Sequence, residues 1–298
     1  MKFRKSIEQK DFQELPKYKK PFFSYIQQFA SIEQAYSKRP RKWIINLVYS
    51  LIIIGVLLYF ALDLDLFSFF RNPNWAKLGR MFYGFITPDF SYFFGFGEFS
   101  FTSSVIFEVL QTFAIAFIGT SVASILSIPF GFLGSKRIVG HFKYISELIL
   151  ILIRTFPEIL MGFIFIKVFG FGAITGIMVL SIHSIGMIGK MYSEQIDVID
   201  EAPLEALNAC GATFFSRIKL GVVPQITPNF LSVILYRFDL NIRTASLLGL
   251  VGAGGVGYSI SIHATNEHWS KLASVLYGVI FLVLLVDFVS GKIRRKLV

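Results

Sequence analysis

The chain has almost no cysteine: the single thiol, Cys210, cannot close a disulfide within it, so no internal covalent staple supports the fold. Charge is scarce as well. Only 16% of the 298 residues are Asp, Glu, Lys or Arg, against 54% hydrophobic, and the mean hydropathy is +0.62. That composition excludes a soluble domain and defines an integral membrane protein. Acid is scarcer than base, with 19 acidic against 29 basic residues and a net charge of +10. The basic residues gather beside apolar segments, where anionic lipid and the positive-inside rule account for them. No interleaved basic and aromatic module is present, so nucleic acid is not an expected partner.

Signatures of catalysis are missing too. The sequence holds no zinc-binding helix motif, no nucleophile elbow and no cysteine pair, which removes support for a metalloenzyme or a membrane hydrolase. His263 and His268 have no carboxylate-histidine cluster around them, and no metal site is expected. The run Gly252-Ala-Gly254-Gly255-Val-Gly257 fits the spacing G-x-G-x-x-G, but it follows an apolar span rather than a strand, so it is not a dinucleotide site. Its glycines suit a backbone that bends or approaches another subunit closely, a candidate gate. Gly186-Met-Ile-Gly189-Lys190-Met191 lacks the first glycine and the Ser/Thr of a phosphate loop. The chain is therefore expected to bind no ATP and no cofactor of its own. Residues 1–42 also lack the apolar core of a cleavable signal, so the first hydrophobic run is expected to stay as an anchor.

What the chain does have is a series of apolar runs long enough to cross a bilayer, for which about 20 residues suffice. These fall at 43–62, 104–134, 145–169, 173–191, 229–248 and 272–290, predicting six transmembrane helices. Residues 1–42 carry Lys17, Lys19, Lys20, Lys38, Arg39, Arg41 and Lys42, and the tail 291–298 carries Lys292, Arg294, Arg295 and Lys296, which places both termini in the cytoplasm. Within the first segment Phe22, Ile26 and Phe29 recur at helical spacing, either as a surface-lying helix or within a solvated tail. Residues 63–103 form an extracytoplasmic, aromatic-rich segment. In it Trp75, Leu78, Gly79, Phe82 and Ile86 recur as on an interfacial helix, with a loop packed on the bundle as the other reading. Residues 104–290 make a five-helix core. Ala116, Thr120 and Ser124, with Gly119 and Ala123, form small-xxx-small rows that let neighbouring helices approach closely.

Between the fourth and fifth of the six apolar runs lies a polar island, 193–228, too polar to span. Asp200 is a candidate helix cap, Pro203 suits a first turn, and Ala206, Leu207 and Cys210 share one face before Gly211 ends the helix. A second short helix follows from Thr213, with Phe214 and Ile218 on one stripe, and Gly221 and Pro224 are expected to stop it. The result is a helix, a glycine corner and a helix. The island is richer in acid (Glu194, Asp197, Asp200, Glu201, Glu205) than in base (Arg217, Lys219), but the positive-inside rule counts Lys and Arg, and the termini keep it cytoplasmic.

Six ionisable residues sit at membrane depth: Arg154, Glu158, His183, Arg237, Asp239 and Arg243. Each is costly in hydrocarbon and needs a partner or a wet cavity. Two readings compete. Asp239 with Arg243, and Arg154 with Glu158, stand four apart and can pair on one helix face; alternatively Arg154, His183 and Arg243 line a path for an anion.

The pattern Glu205-Ala206-Leu207, then Gly211, then Val223-Pro224, resembles the EAA loop of ABC-importer permeases, with Leu207 where that motif has its second Ala and Gly221 where it has Ile. From Glu108 to the C-terminus the chain is similar to the permease subunit of phosphonate-family ABC importers. The likeness runs through Arg154-Thr-Phe-Pro157-Glu158, Leu235-Tyr-Arg-Phe-Asp239-Leu-Asn241-Ile-Arg243 and Leu248-Gly-Leu-Val-Gly252-Ala-Gly-Gly255. The resemblance implies an all-α polytopic protein of the type I, methionine-permease-like fold, in a bacterial cytoplasmic membrane. It implies a second copy of the chain, two ATPase subunits that hold the ATP and Mg, and an extracytoplasmic substrate-binding protein. Glu205, Ala206, Leu207, Gly211 and Pro224 would couple to the ATPase, while Arg154, Glu158, His183, Asp239 and Arg243 would lie along the pathway. The implied cargo is phosphonate or a related phosphorus oxyanion; phosphate or an amino acid would suit the same architecture. An ion-coupled carrier is the rival class, and the inverted repeat that would favour it is not evident between the halves.

Overall fold

A computed structural model describes residues 43–64, 74–97 and 100–297. The helical spacing of Phe22, Ile26 and Phe29 lies outside the described residues. The chain divides into two units, Met1–Pro73 and Asn74–Val298. In the first, helix α1 (Trp43–Asp63) has 21 residues, enough to cross a bilayer, and buries none of its side chains within the chain.

The regular structure of the second unit is all helical among its described residues. It opens with α2 (Trp75–Ile86), whose start is fixed by Asn74 accepting from the Lys77 amide at 2.9 Å. A short helix, α3 (Phe90–Phe94), follows and ends at Gly95 in the left-handed region, φ 75°. The spacing of Trp75 to Ile86 anticipates α2; nothing in the sequence reading anticipates α3, whose single turn is too short for a periodic signal.

Then come α4 (Val105–Gly134), α5 (Lys136–Val139), α6 (Lys143–Thr155), α7 (Glu158–Phe169) and α8 (Ala173–Asp197). Short helices α9 (Ala202–Ala209) and α10 (Phe214–Arg217) build the polar island. A π-helical turn, Ile218–Val222, leads into α11 (Val223–Gly249), and α12 (Val256–Thr265) and α13 (Trp269–Leu297) complete the chain. Among the described residues five helices are long and apolar enough to span a membrane, and six if the bent pair α6–α7 counts as one.

Several boundaries differ from those read in the sequence. The run 145–169 is not one straight helix: its two halves bend by 83° where Phe156 precedes Pro157, because a proline disfavours helical geometry in the residue before it and supplies no amide donor. Helix α8 continues past Met191 to Asp197, so the island is shorter than 193–228. Gly221 and Pro224 do not stop a helix; Pro224 sits in the first turn of α11, where a missing amide donor costs nothing, and the path from Phe214 to Gly249 is helical throughout. The segment before the last span contains α12, and residues 291–297 are the end of α13 rather than a separate tail.

The core forms where α4, α8, α11 and α13 meet, around Ile115, Val179, Leu180, Ile242, Leu248 and Leu282. The small residues of α4 (Ala116, Gly119, Thr120, Ala123, Ser124) are all buried, continued by Ser127 and Gly131, and this row lets α8 lie close along its length. A second cluster joins Ala123, Leu150, Ile188, Tyr192 and Val233, with the Tyr192 and Phe230 rings stacked 3.7 Å apart. On α4, Gly131 makes a tighter approach than Gly119, since a Cβ there would stand 2.6 Å from the Tyr192 Cβ. Gly131→Leu should therefore push α4 from α8 and cost ~1–3 kcal/mol, read as a lower melting temperature in nanodiscs. Gly291→Ala, whose new Cβ meets nothing within 4 Å, should leave that temperature unchanged.

Candidate functional site

Two constellations stand out, one on the surface and one within the helices. The surface elbow begins where α8 ends. Arg137 clamps its base: the guanidinium donates to Glu201 Oε1 at 2.7 Å and to the Ile199 carbonyl at 2.5 Å, while its backbone amide and the Ser135 hydroxyl donate to Asp197. Lys190 likewise pairs with Glu147 at 2.8 Å and approaches Glu194 at 3.6 Å. Of the island's acids, Glu194 and Glu201 thus meet basic side chains, and Asp197 is held by a hydroxyl and a backbone amide.

Glu201, not Asp200, occupies the capping position of α9, although Asp200 accepts from the Ala202 amide at 3.1 Å. The inward face of α9 is only partly the one read from spacing. Of Ala206, Leu207 and Cys210 only Leu207 turns inward, joined by Leu204, while Ala206 and Cys210 are exposed. The two leucines turn inward because Gly221 makes room: a Cβ on it would come within 2.7 Å of Leu204 and 3.0 Å of Leu207. Glu205 projects into solvent. Gly211 holds the corner with φ 72°, a conformation open to glycine at little cost. Thr213 then accepts from the Ser216 amide at 3.4 Å to start α10, and Arg217 donates to Asn208 Oδ1 at 2.6 Å, fastening the two short helices together. Phe215 is left 81% exposed.

Within the helices, a polar network links α4, α7, α8 and α11. Arg237, on α11, is almost fully buried. It donates through Nη2 to Glu158 Oε1 at 2.9 Å and through Nε to Ser184 Oγ at 3.1 Å. His183 Nδ1 lies 2.5 Å from the same Glu158 oxygen. Arg237 Nη2 also lies 3.0 Å from His183 Nδ1; in the tautomer that carries the proton on Nδ1, the imidazole and the guanidinium are two donors converging on one acceptor. One turn along α11, Asn241 donates to Thr120 Oγ1 at 2.8 Å and to Ser184 Oγ at 2.9 Å. Every one of these polar groups has its partner on another helix.

The sequence-derived pathway residues do not all converge. Glu158 and His183 are in this network, but Arg154 is exposed and does not pair with Glu158, because the bend at Pro157 turns the two away from one helix face. Asp239 and Arg243 do pair, at 3.1 Å, with Asp239 buried and the Arg243 side chain 51% exposed. Arg237 joins Glu158 and His183 in this network although only its depth in the apolar run marks it, and Thr120, Ser184 and Asn241 give no sequence signal as polar partners.

The glycine segment packs closely on its own chain. Gly252, Gly254 and Gly255 take φ of 95°, 80° and 70°. The Gly252 carbonyl accepts from the Gly172 amide at 3.0 Å, Gly255 donates to Gln111 Oε1 at 3.1 Å, and Gly257 packs backbone to backbone on Gly249. Near it, Glu108 accepts from Ser259 at 2.5 Å and from the Tyr92 hydroxyl at 3.3 Å. His263 Nε2 lies 3.2 Å from that hydroxyl. Burial, with the positive charge of His268 and Lys271 nearby, holds His263 below the ordinary histidine range, and burial pushes Tyr92 up to about 12. Among the described residues no three His, Cys, Asp or Glu side chains gather as a metal site.

Long apolar helices around a paired, buried charge, with an exposed elbow at one end, define a polytopic membrane protein of the transport class. Residues 127–297 match the family described as binding-protein-dependent transport system inner membrane component, and the chain belongs to that family. It is 36% identical over 200 residues to the phosphite transport system permease protein PtxC of Stutzerimonas stutzeri, covering 66% of this chain and 73% of that one. It is 32% identical over 186 residues to the putative phosphite transport system permease protein HtxC of the same organism, covering 62% and 66%. The fold is that of the inward-facing MetNI methionine ABC transporter chain, with a TM-score of 0.58 at 21% identity over 65% of this chain and 96% of that one.

The Asp239–Arg243 contact separates pairing from anion handling. Arg243→Ala should strand a buried carboxylate and cost about 1–3 kcal/mol, and Arg243→Ala with Asp239→Ala should recover most of it, measured by thermal unfolding and uptake. If the double variant is as impaired as the single one, Arg243 acts on something other than Asp239.

Proposed function

We propose that this chain is the permease subunit of an ATP-driven importer and forms the pathway for a small phosphorus oxyanion, a phosphonate or one of its inorganic relatives. Two copies form the pathway, two ATPase subunits bind ATP and Mg beneath it, and an extracytoplasmic binding protein delivers the cargo. Both termini lie in the cytoplasm. The chain performs no bond chemistry itself; it converts nucleotide-driven motion into alternating access. The two phosphite permeases among its relatives support the cargo class, and so does a deep guanidinium suited to oxyanions.

The observation that carries the reading is mechanical. The elbow's second helix runs without interruption through the π turn into α11, and α11 holds Arg237. About 20 residues of continuous helix, with Pro228 inside it, separate Arg217 from Arg237, a span of roughly 30 Å. A push on the exposed α9–α10 elbow is therefore delivered to the charge cluster. Binding of ATP draws the two ATPase subunits together, the elbows follow, and the pathway changes the side to which it opens; hydrolysis resets it.

Gly211 is the hinge on which that transmission depends. Gly211→Pro replaces a φ of 72° by one near −65°, so the corner deforms while the spans stay intact. The variant should insert at normal levels, yet lose uptake and cargo-stimulated ATP hydrolysis in the reconstituted complex. Normal values for both would remove the elbow from the coupling path.

A further inference from the structure

We infer that Glu158 is a built-in stand-in for the cargo: its carboxylate occupies the anion position on Arg237, and a phosphorus oxyanion takes that position when α7 turns away. The inference rests on the oxyanion reading and goes on to name the residue that binds and the residue that competes.

The network has one movable member. Arg237, Ser184, Asn241 and Thr120 are tied to one another across α11, α8 and α4, whose packing forms the core. Glu158 stands apart from them as the first residue of α7, directly after Pro157 and the 83° bend. Rotation of α7 about that junction carries the carboxylate off Arg237 and leaves the guanidinium Nη2 and a protonated His183 Nδ1 facing a gap, while Ser184 stays bound to Arg237 Nε and Asn241. Those are hydrogen-bond donors around a point that just held an oxyanion. A guanidinium fork matches two oxygens of a tetrahedral oxyanion as well as it matches a carboxylate.

The other two arginines suit this role less well. Arg243 is half exposed and already held by Asp239, and Arg154 lies on the exposed side of the bend. Burial decides the matter: a guanidinium removed from water cannot lose its counter-ion without replacement. Opening at α7 is thus disfavoured until an anion is present to take over from Glu158. The exchange makes cargo a condition for opening, and it selects for a solute with at least two anionic or acceptor oxygens on one centre.

The test uses the purified permease–ATPase complex in nanodiscs, without binding protein, titrated with inorganic phosphite and followed by 31P line broadening. Glu158→Gln keeps the shape and one acceptor oxygen but removes the competing charge. It should bind phosphite at least tenfold more tightly than the wild type, and Glu158→Gln with Arg237→Gln should lose that binding. Should Glu158→Gln fail to assemble, Glu158→Asp, which retains the charge but shortens its reach, must still bind phosphite more tightly than the wild type. Equal affinity in wild type and variant, or tight binding that survives loss of Arg237, overturns the exchange. Failure of the broader reading looks different: the wild-type complex with its binding protein would take up no phosphite, phosphate or phosphonate, and the exchange would fall with it.

Discussion

A guanidinium buried among apolar helices must be paired, and the rest of this structure follows from how Arg237 is paired. The cost of an isolated charge in hydrocarbon is large enough that the helices around it are constrained in rotation and depth. Glu158 supplies the opposite charge from α7, and Ser184 on α8 accepts the hydrogen bond of Nε. Asn241, one turn further along α11, repeats the arrangement with Thr120 and Ser184. The small residues of α4 allow these groups to meet, because only a close helix approach brings a threonine hydroxyl within reach of Asn241. Packing and polar pairing thus specify the same register.

The elbow shows a second kind of consistency. The chain departs from the coupling-loop pattern it resembles at Leu207 and at Gly221, and these two positions touch. A larger side chain on α9 fits because the helix it lies against has none at that point. The two departures are one packing solution. It roots the short helix against the turn that leads into α11, while Glu205, Cys210 and Phe215 stay at the surface. Ile196, Ile199, Val222 and Ile226 seal the base beneath, so the elbow is an extension of the helical core and moves with it.

Much of the architecture is legible in the sequence because the bilayer imposes a length on apolar runs; the spans, the glycine corner and the Thr213 cap all come from such local rules. Helix ends are less legible. Asp197 ends α8 beyond the apolar run because polar residues continue a helix once it leaves hydrocarbon, and the same holds for the end of α13. The break at Pro157 has a local cause, but its angle depends on what α7 packs against. Partnerships are the least legible part. Spacing on one helix pairs Asp239 with Arg243, as found, and by the same logic would pair Arg154 with Glu158. Glu158 instead meets Arg237, 79 positions away, a contact made by three-dimensional packing.

The account joins a nucleotide-driven push at the elbow to the release of a buried anion position, so the source of energy is its most exposed claim. Proteoliposomes holding this chain with its ATPase subunits and binding protein, loaded with ATP and Mg and given labelled phosphite outside, test it directly. The account predicts uptake that requires ATP and the ATPase subunits and is indifferent to collapse of proton and sodium gradients. Uptake that proceeds without nucleotide and stops when an ion gradient is removed would contradict it.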